Sequence, residues 1–242
     1  NKIIEDNRSS NPDILYNLFI KIYKNKYKMI IDLQNSSRTS YYNFFFKLLT
    51  NSKISSSRKF SHFRYNIPIQ GVESATDGLF NQIKLINVSK YPTPSYSWLD
   101  CEINLKDKKI VLMIPGVSLS GKYKQWSPNK FADLAKFFEE IKYTICIVGT
   151  NNDLESVNPI IKNCHNVINK INLSPPEVIY SIAKKSNLII TNDTGPGHIA
   201  SLSGCNTIWI ANDNKITKAN IDSRSNNYKI SKKNITDITV QE

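Results

Sequence analysis

The chain has 242 residues, 40% of them hydrophobic and 10% aromatic, enough for one large core or two modest ones. No apolar run approaches the ~20 residues of a membrane span, and the opening Asn1-Lys2-Ile3-Ile4-Glu5-Asp6 lacks the apolar stretch of a signal peptide. The formal charge of +12 is spread over both halves and is mostly lysine, with arginine only at Arg8, Arg38, Arg58, Arg64 and Arg224; it does not imply nucleic-acid binding and suits anionic headgroups or phosphorylated glycans.

Tyr27–Leu33 reads as a buried strand, and Lys2–Ile4 is a possible second one. Ser36 or Ser37 can cap a helix in which Tyr41, Phe44, Phe45, Leu48 and Leu49 recur at helical spacing. Asn51–Gln70, polar and basic without clean periodicity, reads as loop, and Thr76–Leu85 as helix. Two prolines in Tyr91-Pro92-Thr93-Pro94-Ser95 mark a linker, which divides the chain into lobes at 1–95 and 96–242. The first lobe supplies too few strands for a free-standing α/β sheet, so one or two βα units are expected to be missing ahead of it, and the chain to begin inside a domain.

The second half is more regular. Lys109–Ile114 is a strand, and Pro128 opens a helix through Phe131, Leu134, Ala135 and Phe138. Tyr143–Val148 is a strand ending at Gly149, followed by a helix over Leu154–Ile161 and a loop. Ser174-Pro175-Pro176-Glu177 reads as an N-cap with prolines in the first turn, opening a helix to about Lys185. Asn187–Thr191 is a strand, His198–Ser203 a short helix stopped by Gly204, and Asn206–Ile210 another strand. This alternation implies a parallel, doubly wound sheet covered on both faces. Cys101, Cys146, Cys164 and Cys205 form no CxxC pair and read as small buried or half-buried residues of a reducing compartment, not as a zinc site or disulfide frame.

Two segments can carry chemistry. Asn192-Asp193-Thr194-Gly195-Pro196-Gly197-His198 lies where a strand ends and a helix begins, at the carboxyl edge of the sheet. Gly195 and Gly197 let backbone approach a ligand, Pro196 suits a first helical position, and the free amides of the first turn suit a diphosphate. Thr194 adds a hydroxyl and His198 a ring donor. The same residues equally suit a plain strand-to-helix turn capped by Asp193 or Thr194. The second segment, Pro115–Pro128, also joins a strand to a helix and brings Ser118, Ser120, Gly121, Lys122 and Lys124; it lacks P-loop spacing. Trp126 reads as a core residue.

In this order and spacing the two segments resemble the glycosyltransferase family 9 that includes ADP-heptose:lipopolysaccharide heptosyltransferases. The likeness rests on Pro115-Gly116, Lys124-Gln125-Trp126 with Pro128, Gly149 followed by Asp153 or Glu155, and the run Asn192 to His198 with Ala200. Ile31-Asp32-Leu33-Gln34 with Arg38 is similar to the family's D-x-Q strand end. The resemblance implies two facing Rossmann-like lobes of GT-B type, the N-terminal one incomplete and the C-terminal one binding the nucleotide sugar. It further implies an inverting, metal-independent transfer of a heptose or related sugar from a nucleotide-diphosphate donor to a lipopolysaccharide core or similar glycan. The only cosubstrate is the ADP-heptose-like donor, with no cofactor; no DxD pair occurs.

Carried over by residue, Ser118, Ser120 and Lys124 would hold phosphate, Asp193, Thr194, Gly195 and His198 the diphosphate and adjoining sugar, and Asp153 or Glu155 the ribose. Arg38 would meet an anionic glycolipid acceptor, with Arg58, Lys59 and Arg64 as further cations there. A monomer is implied, in the cytoplasm or at the cytoplasmic face of the inner membrane. The chain departs from the family twice. Nothing matches the glycine-rich first loop with its base aspartate, and Ala211-Asn212-Asp213-Asn214 stands where a phenylalanine-glycine turn is usual. A nucleotide-sugar epimerase of similar architecture and a non-catalytic nucleotide-sugar-binding protein are the rival readings.

Overall fold

A computed structural model describes residues 3–6, 8–68, 73–90, 94–105, 109–214, 221 and 226–242. The chain divides into two compact units: unit 1 is Asn1–Ile69 with Ala75–Pro92, and unit 2 is Gln70–Ser74 with Thr93–Glu242. The first three residues of the proline-rich linker, 91–93, lie outside the described residues.

Unit 1 contains a three-stranded parallel sheet, β1 (Met29–Ile31), β2 (Lys53–Ser56) and β3 (Phe63–Arg64), in that order. Its helices are α1 (Pro12–Lys24), α2 (Ser37–Leu49) and α3 (Ala75–Lys84). Ser36 caps α2 in a reciprocal box with Thr39, as its sequence position suggests. Four features correct the expectations from sequence, the first being that β1 is shorter than Tyr27–Leu33 and not buried, with Met29, Ile31 and Leu33 exposed. The stretch over 51–70 is not all loop, because Ile54, Ser55 and Ser56 are buried in β2 beside β1. Helix α1, in a stretch given no element above, is capped by Asn11 and opened by Pro12. Ile3 and Ile4 lie outside any strand, with Ile3 exposed.

The interior of unit 1 mixes Leu18, Phe46 and Ile54 with polar groups. Asp32 accepts hydrogen bonds from the amides of Gln34 and Asn35 and from the Asn43 side chain. Gln82, reaching in from α3, donates to the carbonyls of Asp32 and Ser55 and accepts from Asn35 Nδ2. A buried amide must be bonded this fully to be tolerated, and here it ties α3 to the carboxyl ends of β1 and β2.

Unit 2 holds a six-stranded, wholly parallel sheet in the order β6-β5-β4-β7-β8-β9. The strands are β4 (Ile110–Ile114), β5 (Thr144–Gly149), β6 (Val167–Ile171), β7 (Leu188–Asn192), β8 (Thr207–Asn212) and β9 (Asn227–Lys232). Between them run α4 (Pro128–Glu140), α5 (Leu154–Asn163), α6 (Pro176–Lys185) and α7 (Gly195–Ser201). Alternate residues of each strand face opposite sides, so Val111, Met113, Ile145 and Ile147 pack with α4 and α5. Ile110, Leu112, Cys146 and Val148 pack with α6 and α7. Both faces are covered, which is why the central strands read as unbroken apolar runs.

Several sequence assignments shift here. β6 occupies part of the expected loop, and β9 has no counterpart among the expected strands. Pro175, not Ser174, occupies the cap position of α6, while Ser174 Oγ accepts from the Gly149 amide. α7 begins at Gly195 and ends at Ser201, three residues ahead of the expected start. Trp126 is 1% exposed and donates to the Ile238 carbonyl, which makes it the core residue expected. Among the described residues no helix is long and apolar enough to cross a membrane.

Candidate functional site

The strand order places one reversal in unit 2. From β4 the chain steps outward through β5 to β6, returns to β7 on the other side of β4, and steps outward again. The connections leaving β4 and β7 therefore diverge at the carboxyl edge, and such a crevice is where ligands bind in open parallel sheets. The loop after β4 carries Lys124, and the turn after β7 carries Asp193.

These two side chains meet. Lys124 Nζ lies 2.7 Å from Asp193 Oδ2, with side-chain exposures of 17% and 2%. The other carboxylate oxygen, Oδ1, is 3.1 Å from His198 Nε2, one turn into α7. Burial opposes ionisation of Asp193, but hydrogen bonds and charge from His198 and Lys124 outweigh it and hold the carboxyl down to about 2. The His198 ring rests on Trp209 of β8, centroids 4.8 Å apart, and Trp209 donates its indole N–H to Asn227 of β9. The acid thus orients two cationic or donor side chains at one rim. Its own oxygens are engaged, so a bound anion would meet Lys124 and His198 instead of Asp193.

Asn192, fully buried at the end of β7, donates to the Pro115 carbonyl and accepts from the Trp126 amide. The loop that carries Lys124 is thereby fastened at both ends to the strand that leads into Asp193. Ser118 precedes a 3₁₀ turn over Leu119–Lys124, and its hydroxyl is 3.4 Å from that of Ser120. Thr194 sits in extended backbone ahead of α7 and makes no capping bond with its side chain.

The glycines have different jobs from one another. A Cβ on Gly195 would meet nothing within 4 Å, which leaves the space over that turn open. A Cβ on Gly197 would fall 2.4 Å from Thr191 Oγ1, so Gly197 allows α7 to close onto β7 and does not face a ligand. Asp153 is wedged between two more. A Cβ at Gly116 would lie 2.2 Å from Asp153 Oδ1, and Gly149, at φ +153°, has Asp153 Oδ2 2.9 Å from the equivalent point. That Oδ2 also accepts from the Thr150 amide and hydroxyl. Glu155 is mostly exposed and pairs with Lys122 Nζ at 2.9 Å.

In unit 1 the expected acceptor-side cations differ in setting. Arg38 is tied to Asp6 at 3.1 Å and to the Ser9 carbonyl, with its guanidinium over the Tyr42 ring. Arg58 donates Nε to the Asn35 carbonyl, and Asn35 is in turn held by Asp32, Gln82 and Ser57. Lys59 and Arg64 are exposed. The cysteines take no part: burial pushes Cys146 up to about 12 and Cys164 and Cys205 up to about 11, keeping the thiols protonated.

Sequence reasoning names Asn192 only within the N-D-T-G run and Asn212 only within the departure at 211–214, and it assigns neither side chain, nor Trp209 or Asn227, to this edge.

The structure is similar to several solved proteins. The ADP-heptose LPS heptosyltransferase II of E. coli matches with a TM-score of 0.69 and 15% identity over 93% of this chain and 76% of that one. A family 9 glycosyl transferase from Veillonella parvula matches with 0.71 and 20% over 93% and 70%. E. coli heptosyltransferase WaaC, solved with ADP-2-deoxy-2-fluoro heptose, matches with 0.71 and 11% over 96% and 76%. At such identities the likeness is one of fold: α/β with parallel sheets. No curated protein matches the chain by sequence. The family model for glycosyltransferase family 9 (heptosyltransferase) matches residues 15–208, most of the chain. The chain belongs to glycosyltransferase family 9, the heptosyltransferase family.

Proposed function

We propose that the protein takes a heptose or related sugar from a nucleoside-diphosphate donor of the ADP-heptose kind and transfers it to a hydroxyl of a lipopolysaccharide core or similar anionic glycan. Unit 2 is the donor lobe, a doubly wound Rossmann-like sheet, and unit 1 the acceptor lobe, as in a GT-B enzyme. The observation that carries this reading is the Lys124–Asp193–His198 cluster at the carboxyl edge, where the chain reverses beside open space over Gly195. That similar folds have been solved with ADP and with an ADP-heptose analogue supports it.

In the proposed step the acceptor oxygen attacks the anomeric carbon while the bond from that carbon to the β-phosphate oxygen breaks. The nucleoside diphosphate leaves with the electron pair, the configuration inverts, and the hydroxyl proton passes to a general base outside unit 2. No metal is required, because Lys124, with three N–H donors, keeps Asp193 and still reaches the leaving phosphate. His198, Thr194 and the hydroxyls of Ser118 and Ser120 add donors to the same oxygens. Of the two acids expected at the ribose, Glu155 is the better placed. Asp153 is held in its cap between two glycines, whereas Glu155 has only a surface ion pair to give up. Arg58 and Arg64 serve the anionic acceptor, and basic unit 1 lies toward the cytoplasmic face of the inner membrane.

Titration calorimetry with ADP and with adenosine tests the donor site. ADP should bind the wild type more tightly than adenosine, and Lys124→Met should remove that advantage; equal affinities in the wild type would refute the assignment.

A further inference from the structure

We infer that Asn212 is a positioning residue for the donor-site lysine, acting through the loop that carries Lys124. The inference rests on the donor site proposed above and adds to it a residue from the neighbouring strand.

Lys124 has a long side chain, and a phosphate contact from it gains from having its root already in place. Its head is held by Asp193. Its root is held by asparagines at the carboxyl ends of two adjacent strands. Asn192 of β7 accepts from the Trp126 amide, on the far side of Lys124. Asn212 of β8 donates Nδ2 to the Tyr123 carbonyl at 2.8 Å, on the near side. The Tyr123 carbonyl and the Lys124 amide belong to one planar peptide, so holding that oxygen holds the Lys124 Cα from which the side chain starts.

Asn212 is itself held from behind, because its Oδ1 accepts from the Ile235 amide at 3.0 Å, in the C-terminal 3₁₀ turn. Strand β8 pairs with β7 through Asn192 and Ile210, and Asn212 continues two residues past that pair, paired with Lys232 of β9. The amide therefore projects from the paired part of the sheet, not from a free loop.

The test uses the full chain and Asn212→Ala, alone and with Lys124→Met. ADP affinity should fall about tenfold in Asn212→Ala, adenosine affinity should hold, and the loss should vanish in the Lys124→Met background, as expected of residues acting as one unit. Amide hydrogen exchange over residues 119–125 should quicken in Asn212→Ala without any ligand present. Equal losses for ADP and adenosine, an undiminished loss beside Lys124→Met, or unchanged exchange in that segment would each overturn the inference. A wild type that binds ADP no better than adenosine would refute the donor site instead, and the exchange measurement would then judge the pin by itself.

Discussion

Lys124 and Asp193 are 69 positions apart in the chain, yet the ammonium lies 2.7 Å from a carboxylate that is only 2% exposed. The contact exists because β4 and β7 are neighbours and their outgoing connections share one edge. A carboxylate here is a poor ligand for a diphosphate and a good clamp for the groups that bind one. The sign of a substitution separates these roles. Asp193→Asn removes a negative charge, which by itself would tighten ADP binding. If the carboxylate mainly holds Lys124 and His198, ADP affinity or turnover should instead fall by tenfold or more, at ~1.5–3 kcal/mol per charge-assisted bond. Tighter ADP binding by a folded Asp193→Asn protein would show that the clamp does not matter.

The same residue makes stability depend on pH. The carboxyl is lowered from 3.8 to about 2 in the folded protein, so its contribution is present above the unfolded value and is lost as pH falls toward 2. A shift of this size is worth about 2 kcal/mol. Denaturant midpoints measured between pH 5 and pH 2 should drop more steeply in the wild type than in Asp193→Asn. Parallel slopes would mean that Asp193 titrates as an ordinary carboxyl.

The carboxyl edge of unit 2 is largely legible in the amino-acid sequence. Strand ends at Ile114, Gly149 and Asn192 are marked by long apolar runs that stop at glycine, proline or polar residues, and buried parallel strands produce that pattern. The elements that the pattern hides have physical reasons for it. β2 is buried yet serine-rich, with the Ser56 hydroxyl bonded by Asn43 and the Ser55 carbonyl by Gln82, so it shows no apolar alternation. β6 and β9 lie at the ends of the sheet order and are half exposed, which lets Asn169, Lys170 and Lys229 interrupt them. α1 is the exception, because Ile14, Leu15, Leu18 and Ile22 recur at helical spacing behind the start that Asn11, Pro12 and Asp13 announce, although only Leu18 is buried. Gly197 looks open to a ligand in the sequence because spacing cannot reveal that Thr191 already occupies the room beside it.

Asp153 and Gly116 give a packing prediction. Gly116→Ala would bring a methyl group to 2.2 Å from Asp153 Oδ1, so the Thr150 cap must shift. Overpacking of this kind costs ~1–3 kcal/mol. Removing the obstacle should recover part of it: Gly116→Ala with Asp153→Ala should be more stable than the two single losses added together. Strict additivity in chemical denaturation would mean that the two sites do not touch.

The arginines proposed for the acceptor should behave differently from one another. Arg38 has its guanidinium engaged by Asp6 and the Ser9 carbonyl, and Tyr42 donates its hydroxyl to the same Asp6. Burial works against the Asp6 carboxylate, but its bonds from Arg38, Arg8 and Tyr42 win and hold its pKa below the ordinary value. Both partners of the pair are partly exposed, so Arg38→Gln should change stability and acceptor binding little. Arg58 is half-buried, with one nitrogen donated to the Asn35 carbonyl, and among the described residues no carboxylate pairs with it. Its terminal nitrogens form the planar fork that suits a carboxylate or phosphate of a glycan. Arg58→Gln should therefore weaken binding of an anionic core oligosaccharide by about tenfold, and Arg58→Lys should restore only part of it, since an ammonium cannot make the paired contact. ADP affinity should stay at the wild-type value in both. A greater loss of oligosaccharide binding in Arg38→Gln than in Arg58→Gln would reverse the assignment and make the Asp6 pair a contact that opens when the acceptor binds.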